Sequence, residues 1–143
     1  MIVDKLNELS DGQVVTAAAA STNTYDFGQA SPTPGSNGVL HVVTTVEAGS
    51  AGLIQVKIQE CDTEGGTYTD LLTGPQVTIP AEGLILDMAL PAVTKRYLRA
   101  YYIPTKASGG DAPTAKATLS TVITWGVEQQ SGWKGSTAYM QTK

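Results

Sequence analysis

The sequence has few charged residues, and this shortage limits the partners it can have. Charged residues make up 15% of the 143 residues, and the net charge is −4. Binding to nucleic acid depends largely on cations that neutralise phosphate groups, so we do not expect this acidic chain to bind nucleic acid.

Cysteine and histidine are nearly absent, with one residue of each. The single cysteine, Cys61, excludes a disulfide within the chain, although a disulfide between chains stays open, and a reducing cytosol suits such a protein. One cysteine and one histidine are also too few for the usual zinc sites. His41 lies in the most apolar stretch, where we predict a hydrogen-bonded histidine of the core. Cys61 has carboxylates as sequence neighbours and no evident helix start beside it, so we do not expect a nucleophilic thiol.

Long apolar runs are absent as well. A transmembrane helix needs about 20 mostly apolar residues, and the chain contains no such stretch. The first residues, MIVDKLNELSDGQ, also lack the basic region and the apolar region of a signal peptide. We therefore expect neither export by a signal peptide nor a membrane as partner.

Strand signals recur about every ten residues, which is typical of an all-β sandwich or barrel and not of alternating strands and helices. The stretch 39–47 is β-branched and apolar on both faces, as expected of a strand in the middle of a sheet. In 53–60, apolar and polar residues alternate, with Ile54, Val56 and Ile58 on one face. Further strands are predicted at 13–21, 23–28, 68–72, 76–80, 83–90 and 115–125, the last of which puts Ala117, Leu119, Thr121 and Ile123 on one face.

The stretch KRYLRAYYIP, residues 95–104, mixes cations with tyrosines and has two interpretations. It fits a surface for nucleic acid, and it also fits a sheet strand with one wet face and one dry face. Alternation puts Leu98, Ala100 and Tyr102 on the dry face. Arg99 then stands among tyrosines on the wet face. Because a strand accounts for every residue, we predict a strand here.

Proline and glycine separate the predicted strands, most clearly in the two long loops 29–38 and 104–114. No segment between strands is long enough for a crossover helix, so antiparallel connections are expected. We predict an all-β fold over residues 13–125, an antiparallel β-sandwich of jelly-roll type with about eight or nine strands. An immunoglobulin-like sandwich is the alternative topology, although the sequence lacks the Cys…Trp…Cys spacing of antibody domains.

Two segments outside the predicted sandwich are interpreted as extended arms. Residues 1–12 place apolar side chains at near-helical spacing, but the segment is too short to hold a helix alone in water. Residues 126–143 are polar with isolated aromatic residues, and large apolar side chains on such a segment tend to mark contact sites. A C-terminal segment folded back on the sandwich is the alternative. The predicted partner-binding residues are Ile2, Val3, Leu6, Leu9, Trp125, Trp133, Tyr139 and Met140.

No pattern in the sequence predicts a reaction or a metal site. The acidic cluster of Glu60, Asp62, Glu64 and Asp70 matches no EF-hand spacing, so we favour a solvated turn over calcium binding. The stretch SGGDAP lacks the lysine of a phosphate-binding loop. We therefore predict no enzyme, no catalytic residues, no metal and no cofactor. Two carboxylates distant in the sequence, as a glycosidase needs, stay an open alternative.

Three stretches follow one another along the chain: MIVDKLNELSDGQVVTAAAASTNTYDFG, VKIQECDTEGGTYTDLLTG and TKRYLRAYYIPTKASGGDAPTAKATLSTVI. In this serial arrangement, which extends over about residues 1–124, the chain resembles the small jelly-roll capsid cement proteins of tailed bacteriophages. These are also called decoration proteins, and the resemblance is particularly to those of short-tailed phages.

The resemblance implies a structural virion protein that performs no chemistry. Such proteins bind the outer surface of an icosahedral shell as homodimers and bridge neighbouring major capsid subunits against the pressure of the internal DNA. The protein is then made in the cytoplasm of the host bacterium and found in the virion. Binding repeated at symmetric sites lets weak contacts add up, which fits a chain with few charges. The residues from Gly126 onward extend beyond the shorter family members, as an added arm or an unrelated extension.

The main alternative belongs to another functional class. Jelly-roll domains also bind sugars, and Trp125, Trp133 or the tyrosines would supply rings on which a sugar can stack. The alternative function is therefore that of a carbohydrate- or receptor-binding β-sandwich module of a phage particle.

Overall fold

The computed structural model describes residues 5–32 and 40–125, and there the chain forms two antiparallel sheets packed face to face. A short 3-10 helix, Lys5–Asn7, precedes the first strand, and no helix in the described ranges has the length and apolar character needed to cross a bilayer. The described residues contain nine strands: β1 (Glu8–Val15), β2 (Ala19–Ala20), β3 (Tyr25–Asp26), β4 (Leu40–Gly49), β5 (Leu53–Cys61), β6 (Thr69–Thr78), β7 (Gly83–Ala89), β8 (Tyr97–Thr105) and β9 (Ala117–Trp125).

The strand order is that of a jelly roll. The first sheet has the order β1-β9-β4-β7, and the second sheet has the order β2-β8-β5-β6, with β3 also paired to β8. Because β2 and β3 pair with successive parts of β8, they act as one interrupted strand. Four antiparallel pairs then alternate between the two sheets, as in a rolled-up hairpin. The pairs β1–β9 and β4–β7 lie in the first sheet, and the pairs β2/β3–β8 and β5–β6 lie in the second. The predicted all-β sandwich of jelly-roll type is confirmed.

Alternation along the central strands builds the core between the two sheets. In β4, Val42, Thr44 and Val46 are buried, and the residues between them are partly exposed. The same period holds in β5, β8 and β9, because successive side chains of a strand point to opposite faces. The predicted inward-facing residues of these three strands are therefore confirmed: Ile54, Val56, Ile58, Leu98, Ala100, Tyr102, Ala117, Leu119, Thr121 and Ile123.

Strand β6 joins two stretches that the sequence predicts as separate strands, 68–72 and 76–80. Pro75 lies inside β6, which is tolerated because β6 is at the edge of the second sheet and its pairing with β5 is irregular at this point. Gly74 belongs to the same irregularity, where a Cβ atom would lie 2.9 Å from a backbone oxygen of β5. The glycine and the proline therefore form a β-bulge within one continuous strand.

Strand β1 begins at Glu8, inside the segment 1–12 that the sequence predicts as an arm. Its pairing with β9 shifts between Ser10 and Gln13, and Gly12 adopts a positive φ of 64° there. Such a bulge interrupts the period of two on which strand prediction depends. The first sheet therefore starts within the predicted arm.

Buried hydroxyl groups connect the two sheets through Tyr102 of β8. Its hydroxyl oxygen lies 2.6 Å from Ser10 Oγ of β1 and 2.8 Å from Thr121 Oγ1 of β9. Thr121 Oγ1 is in turn 2.9 Å from Thr44 Oγ1 of β4. All four residues have 0% exposure, so their hydroxyls depend on partners in the core. Burial raises the pKa of the Tyr102 hydroxyl above its ordinary value, which keeps it protonated and able to donate.

Replacing Tyr102 by phenylalanine should lower the free energy of unfolding by about 1–3 kcal/mol, because Ser10 and Thr121 lose a buried partner. Urea denaturation of Tyr102→Phe and wild type measures this difference. Tyr101→Phe is the matched control, since the neighbouring ring lies half-buried on the outer face, and its stability should change by less than about 0.5 kcal/mol. Equal losses in the two variants would contradict the role given to the buried hydroxyls.

Candidate interaction surface

The two predicted arms are attached to the same end of the sandwich. Glu8, at the start of β1, pairs with Val122, and Trp125, the last residue of β9, pairs with Leu40 at the start of β4. The start of β1 and the end of β9 therefore lie side by side at one end of the first sheet. We call this end the terminal end. The loop 90–96 begins at this end too, since β7 ends beside the start of β4.

The predicted partner-binding residues have different positions. Leu6, in the 3-10 helix before β1, is an apolar residue at the terminal end that is 82% exposed. The prediction that Leu9 contacts a partner is wrong, because its side chain is 1% exposed and belongs to the core. Trp125 ends β9. Ile2, Val3, Trp133, Tyr139 and Met140 lie outside the described residues.

One arginine and three tyrosines meet on the outer face of the second sheet, near the terminal end. This arginine–tyrosine cluster consists of Tyr68, Tyr97, Arg99 and Tyr101. The Cζ atom of Arg99 lies 3.9 Å from the centre of the Tyr68 ring and 5.5 Å from that of Tyr101, within range of cation–π attraction. The predicted place of Arg99 on the wet face is confirmed. Sequence reasoning missed Tyr68 as its partner, because this residue comes from the β5–β6 loop and nothing near Arg99 in sequence indicates it.

A row of cross-strand hydrogen bonds holds Arg99 in place. Gln59 of β5 is opposite both Arg99 and Asp70 in the sheet. Its side-chain amide accepts from Arg99 Nε at 2.9 Å and donates to Asp70 Oδ1 at 2.8 Å. Lys57 Nζ donates to the other oxygen of Asp70 at 2.7 Å, and the hydrogen bonds from Lys57 and Gln59 hold the pKa of Asp70 below its ordinary value. Arg99 thus reaches Asp70 only through a neutral amide.

An ion pair fixes β3 beside the cluster. Arg96 donates from Nε to Asp26 Oδ1 at 2.7 Å and from Nη2 to Asp26 Oδ2 at 3.0 Å, which is a bidentate pair. These bonds, together with one from the backbone N–H of Gly28, hold the pKa of Asp26 below its ordinary value. The Cζ atom of Arg96 also lies 5.2 Å from the centre of the Tyr97 ring. The residues that precede β8 are therefore tied to β3.

Glu60 fixes the loop that leads into β8. Its carboxylate accepts from the Thr94 N–H at 2.9 Å, from the Thr94 hydroxyl at 2.9 Å and from the Lys95 N–H at 3.2 Å. Lys95 Nζ also lies 3.4 Å from Asp62 Oδ2. The prediction of a solvated acidic cluster is therefore wrong for Glu60, which is 7% exposed. In the part of the chain that the structure describes, no three His, Cys, Asp or Glu side chains come together as ligands for a metal ion.

His41 lies on the first sheet, apart from the arginine–tyrosine cluster, whereas Cys61 is opposite Tyr97, a member of the cluster. The prediction of a core histidine is wrong, because His41 faces outward from β4 and 34% of its side chain is exposed. Its Nδ1 atom lies 3.0 Å from Asp87 Oδ1, and its neighbours Leu40 and Val42 take the core positions. Cys61 is a buried free thiol at the end of β5.

The ion pair of Asp26 and Arg96 predicts a loss of stability in acid. The pKa of Asp26 is lower in the folded chain than the value of about 3.9 expected when unfolded, so its contribution is complete above that value and is lost as the pH falls through the folded pKa. Asp26→Asn should therefore show a smaller fall in melting temperature than wild type between about pH 4 and pH 2.

Thermal unfolding at several pH values measures this difference. Asp111→Asn removes a carboxylate from the exposed β8–β9 loop and is the control, which should follow the wild type. An Asp26→Asn variant with the full wild-type dependence on pH would contradict the assignment.

The sequence profile of the Bbp16 family matches residues 9–112. This range runs from β1 into the β8–β9 loop, covers more than half of the chain and includes the arginine–tyrosine cluster. Among curated proteins, none matches the sequence. The match relates the protein to bacteriophages. On the extent of this match, the chain belongs to the Bbp16 family.

Proposed function

We propose that the protein is a structural virion protein that binds the outer surface of a phage capsid and stabilises it by bridging major capsid subunits. It acts without catalysing a reaction and without a cofactor. Membership of the Bbp16 family and the jelly-roll sandwich support the proposal. The observation that carries it is the terminal end, where the attachment points of both arms and the arginine–tyrosine cluster share one end of the molecule.

The side chains at the terminal end are of the types that dominate the energies of protein interfaces. Leu6 supplies an exposed apolar group, and Arg99 with its tyrosines supplies cationic and aromatic groups. The residues after β9 include Trp133 and Tyr139, which are of the same kind. A partner that meets this end would contact Leu6 and the arginine–tyrosine cluster, and we propose that the residues after β9 add further contacts.

The proposal includes a homodimer as the active unit. A symmetric dimer presents two terminal ends, so one dimer can contact two neighbouring capsid subunits. Simultaneous contacts raise the overall affinity without stronger single contacts, which fits a chain with 15% charged residues. The protein is then made in the host cytoplasm and acts on the outside of the virion, with neither nucleic acid nor membrane as its partner.

A carbohydrate- or receptor-binding module is the second candidate, and the outward-facing tyrosines are the observation in its favour. A sugar stacks on an open aromatic face. At the cluster, Arg99 lies over Tyr68 and Arg96 lies over Tyr97, so each of these rings already has a cationic partner. This arrangement supports a protein contact over a sugar contact. Binding to a glycan array that is lost in Trp133→Ala would favour the second candidate.

Deleting residues 126–143 should leave a folded sandwich that binds capsids less tightly, because every described strand ends at or before Trp125. The measurement is co-sedimentation of the purified protein with empty phage shells, together with the temperature at which the shells disrupt. Wild type should sediment with the shells and raise that temperature, and the shortened chain should do both less. Unchanged occupancy would remove the C-terminal arm from the proposal, and failure of wild type to sediment would contradict the proposed function.

Replacing Leu6 by serine should weaken shell binding by at least about tenfold, because burying a leucine on contact contributes about 1.5–3 kcal/mol. Val14→Ser is the matched control. Val14 is also apolar and 58% exposed, but it pairs with Thr118 at the opposite end of β1. Binding curves with the same shells give the comparison, and equal effects of the two substitutions would argue against contact at the terminal end.

A further inference from the structure

Arg99 differs from the other cations around the second sheet in its electrostatic partners. Within the described residues, no carboxylate lies at ion-pair distance from its guanidinium, although the chain has 13 acidic and 9 basic residues. Arg99 is instead half-buried, and its guanidinium lies against two aromatic rings. The neighbouring cations each have a carboxylate partner: Lys57 has Asp70, Lys95 has Asp62 and Arg96 has Asp26.

The guanidinium of Arg99 has donors left over and a fixed orientation. A guanidinium carries five N–H donors, and the described contacts use only the Nε–H, which donates to Gln59. The ring of Tyr68, 3.9 Å from Cζ, holds the plane of the group. Because Gln59 and the Tyr68 ring already hold the side chain, little further rotamer freedom is lost when a ligand binds.

We propose that Arg99 binds a carboxylate of a partner protein, through the N–H groups that Gln59 does not engage, and that this carboxylate is an Asp or Glu side chain on the capsid surface. The inference rests on the proposed function and names the chemistry of the contact. A planar guanidinium fork matches a planar carboxylate in bidentate geometry. Docking displaces water from the guanidinium. A partner surface without a carboxylate at this place would leave the charge of Arg99 buried and unpaired, which costs free energy, so the contact selects the correct partner surface.

The charges around Arg99 favour a single carboxylate over a polyanion. Binding to nucleic acid requires several cations that neutralise several phosphates. Lys57, the cation nearest along the sheet, is engaged by Asp70, and Glu64 lies in the loop that carries Tyr68. Together with the net charge of −4, these carboxylates disfavour an extended polyanion but leave room for one bidentate contact.

The binding of three variants to empty phage shells separates the contribution of the Arg99 guanidinium from that of positive charge alone. Arg99→Met removes the guanidinium, Arg99→Lys keeps the charge without the fork, and Lys106→Met removes an equal charge from the exposed segment after β8. We expect Lys106→Met to bind as wild type, Arg99→Met to bind at least about tenfold more weakly, and Arg99→Lys to lie between. Wild-type binding by Arg99→Met would overturn the inference and leave the proposed function standing.

A second measurement does not need shells, so it remains decisive if wild type fails to bind them. Backbone amide signals of Gln59, Arg99 and Tyr101 are followed by NMR during titration with a tetraglutamate peptide and, separately, with an oligothymidylate. We expect saturable shifts with the peptide that disappear in Arg99→Met. Shifts of equal size in Arg99→Met, or tighter binding of the oligothymidylate, would overturn the inference. If thermal unfolding shows that Arg99→Met is not folded, Arg99→Lys takes its place in both measurements. We then expect weaker binding than wild type, and binding equal to wild type would overturn the inference.

Discussion

A small group of buried hydroxyls, centred on Tyr102, determines how the two sheets of the sandwich lie on each other. Apolar side chains alone pack in several arrangements of similar free energy. A buried hydroxyl is less tolerant, because leaving it without a partner costs about 1–3 kcal/mol. The contacts of Tyr102 with Ser10 and Thr121 therefore favour one alignment of β8 against β1 and β9. Since β8 carries Tyr102 inward and Arg99 outward, the strand that aligns the sheets also positions the candidate surface.

Hydrogen bonds between distant parts of the chain then make the candidate surface rigid. Glu60 anchors the loop before β8, Asp26 anchors β3 to Arg96, and Gln59 aligns Arg99 with the neighbouring strands. None of these contacts is local in sequence, so the surface forms only when the strands of the second sheet are assembled. A preformed surface loses less conformational entropy when it binds, which suits a protein proposed to act through many identical contacts.

The fold could be predicted from the sequence to a large extent, whereas the candidate surface could not. Alternation in β5, β8 and β9 is strong enough to predict both the strands and their buried faces. The same rule fails where a bulge breaks the period, at Gly12 in β1 and at Pro75 in β6, and it does not indicate that His41 faces outward. The contact of Arg99 with Tyr68 joins separate strands and leaves no local pattern in the sequence.

The bulge in β6 also matters for the proposed role on a capsid, in which many copies of the protein would lie close together. An edge strand with a regular row of free backbone N–H and C=O groups is a template on which another molecule can add its own strand. In β6, Pro75 has no backbone N–H group to donate, and the bulge bends the row of free backbone N–H and C=O groups. The bulge therefore protects this edge against the addition of strands from other copies of the protein.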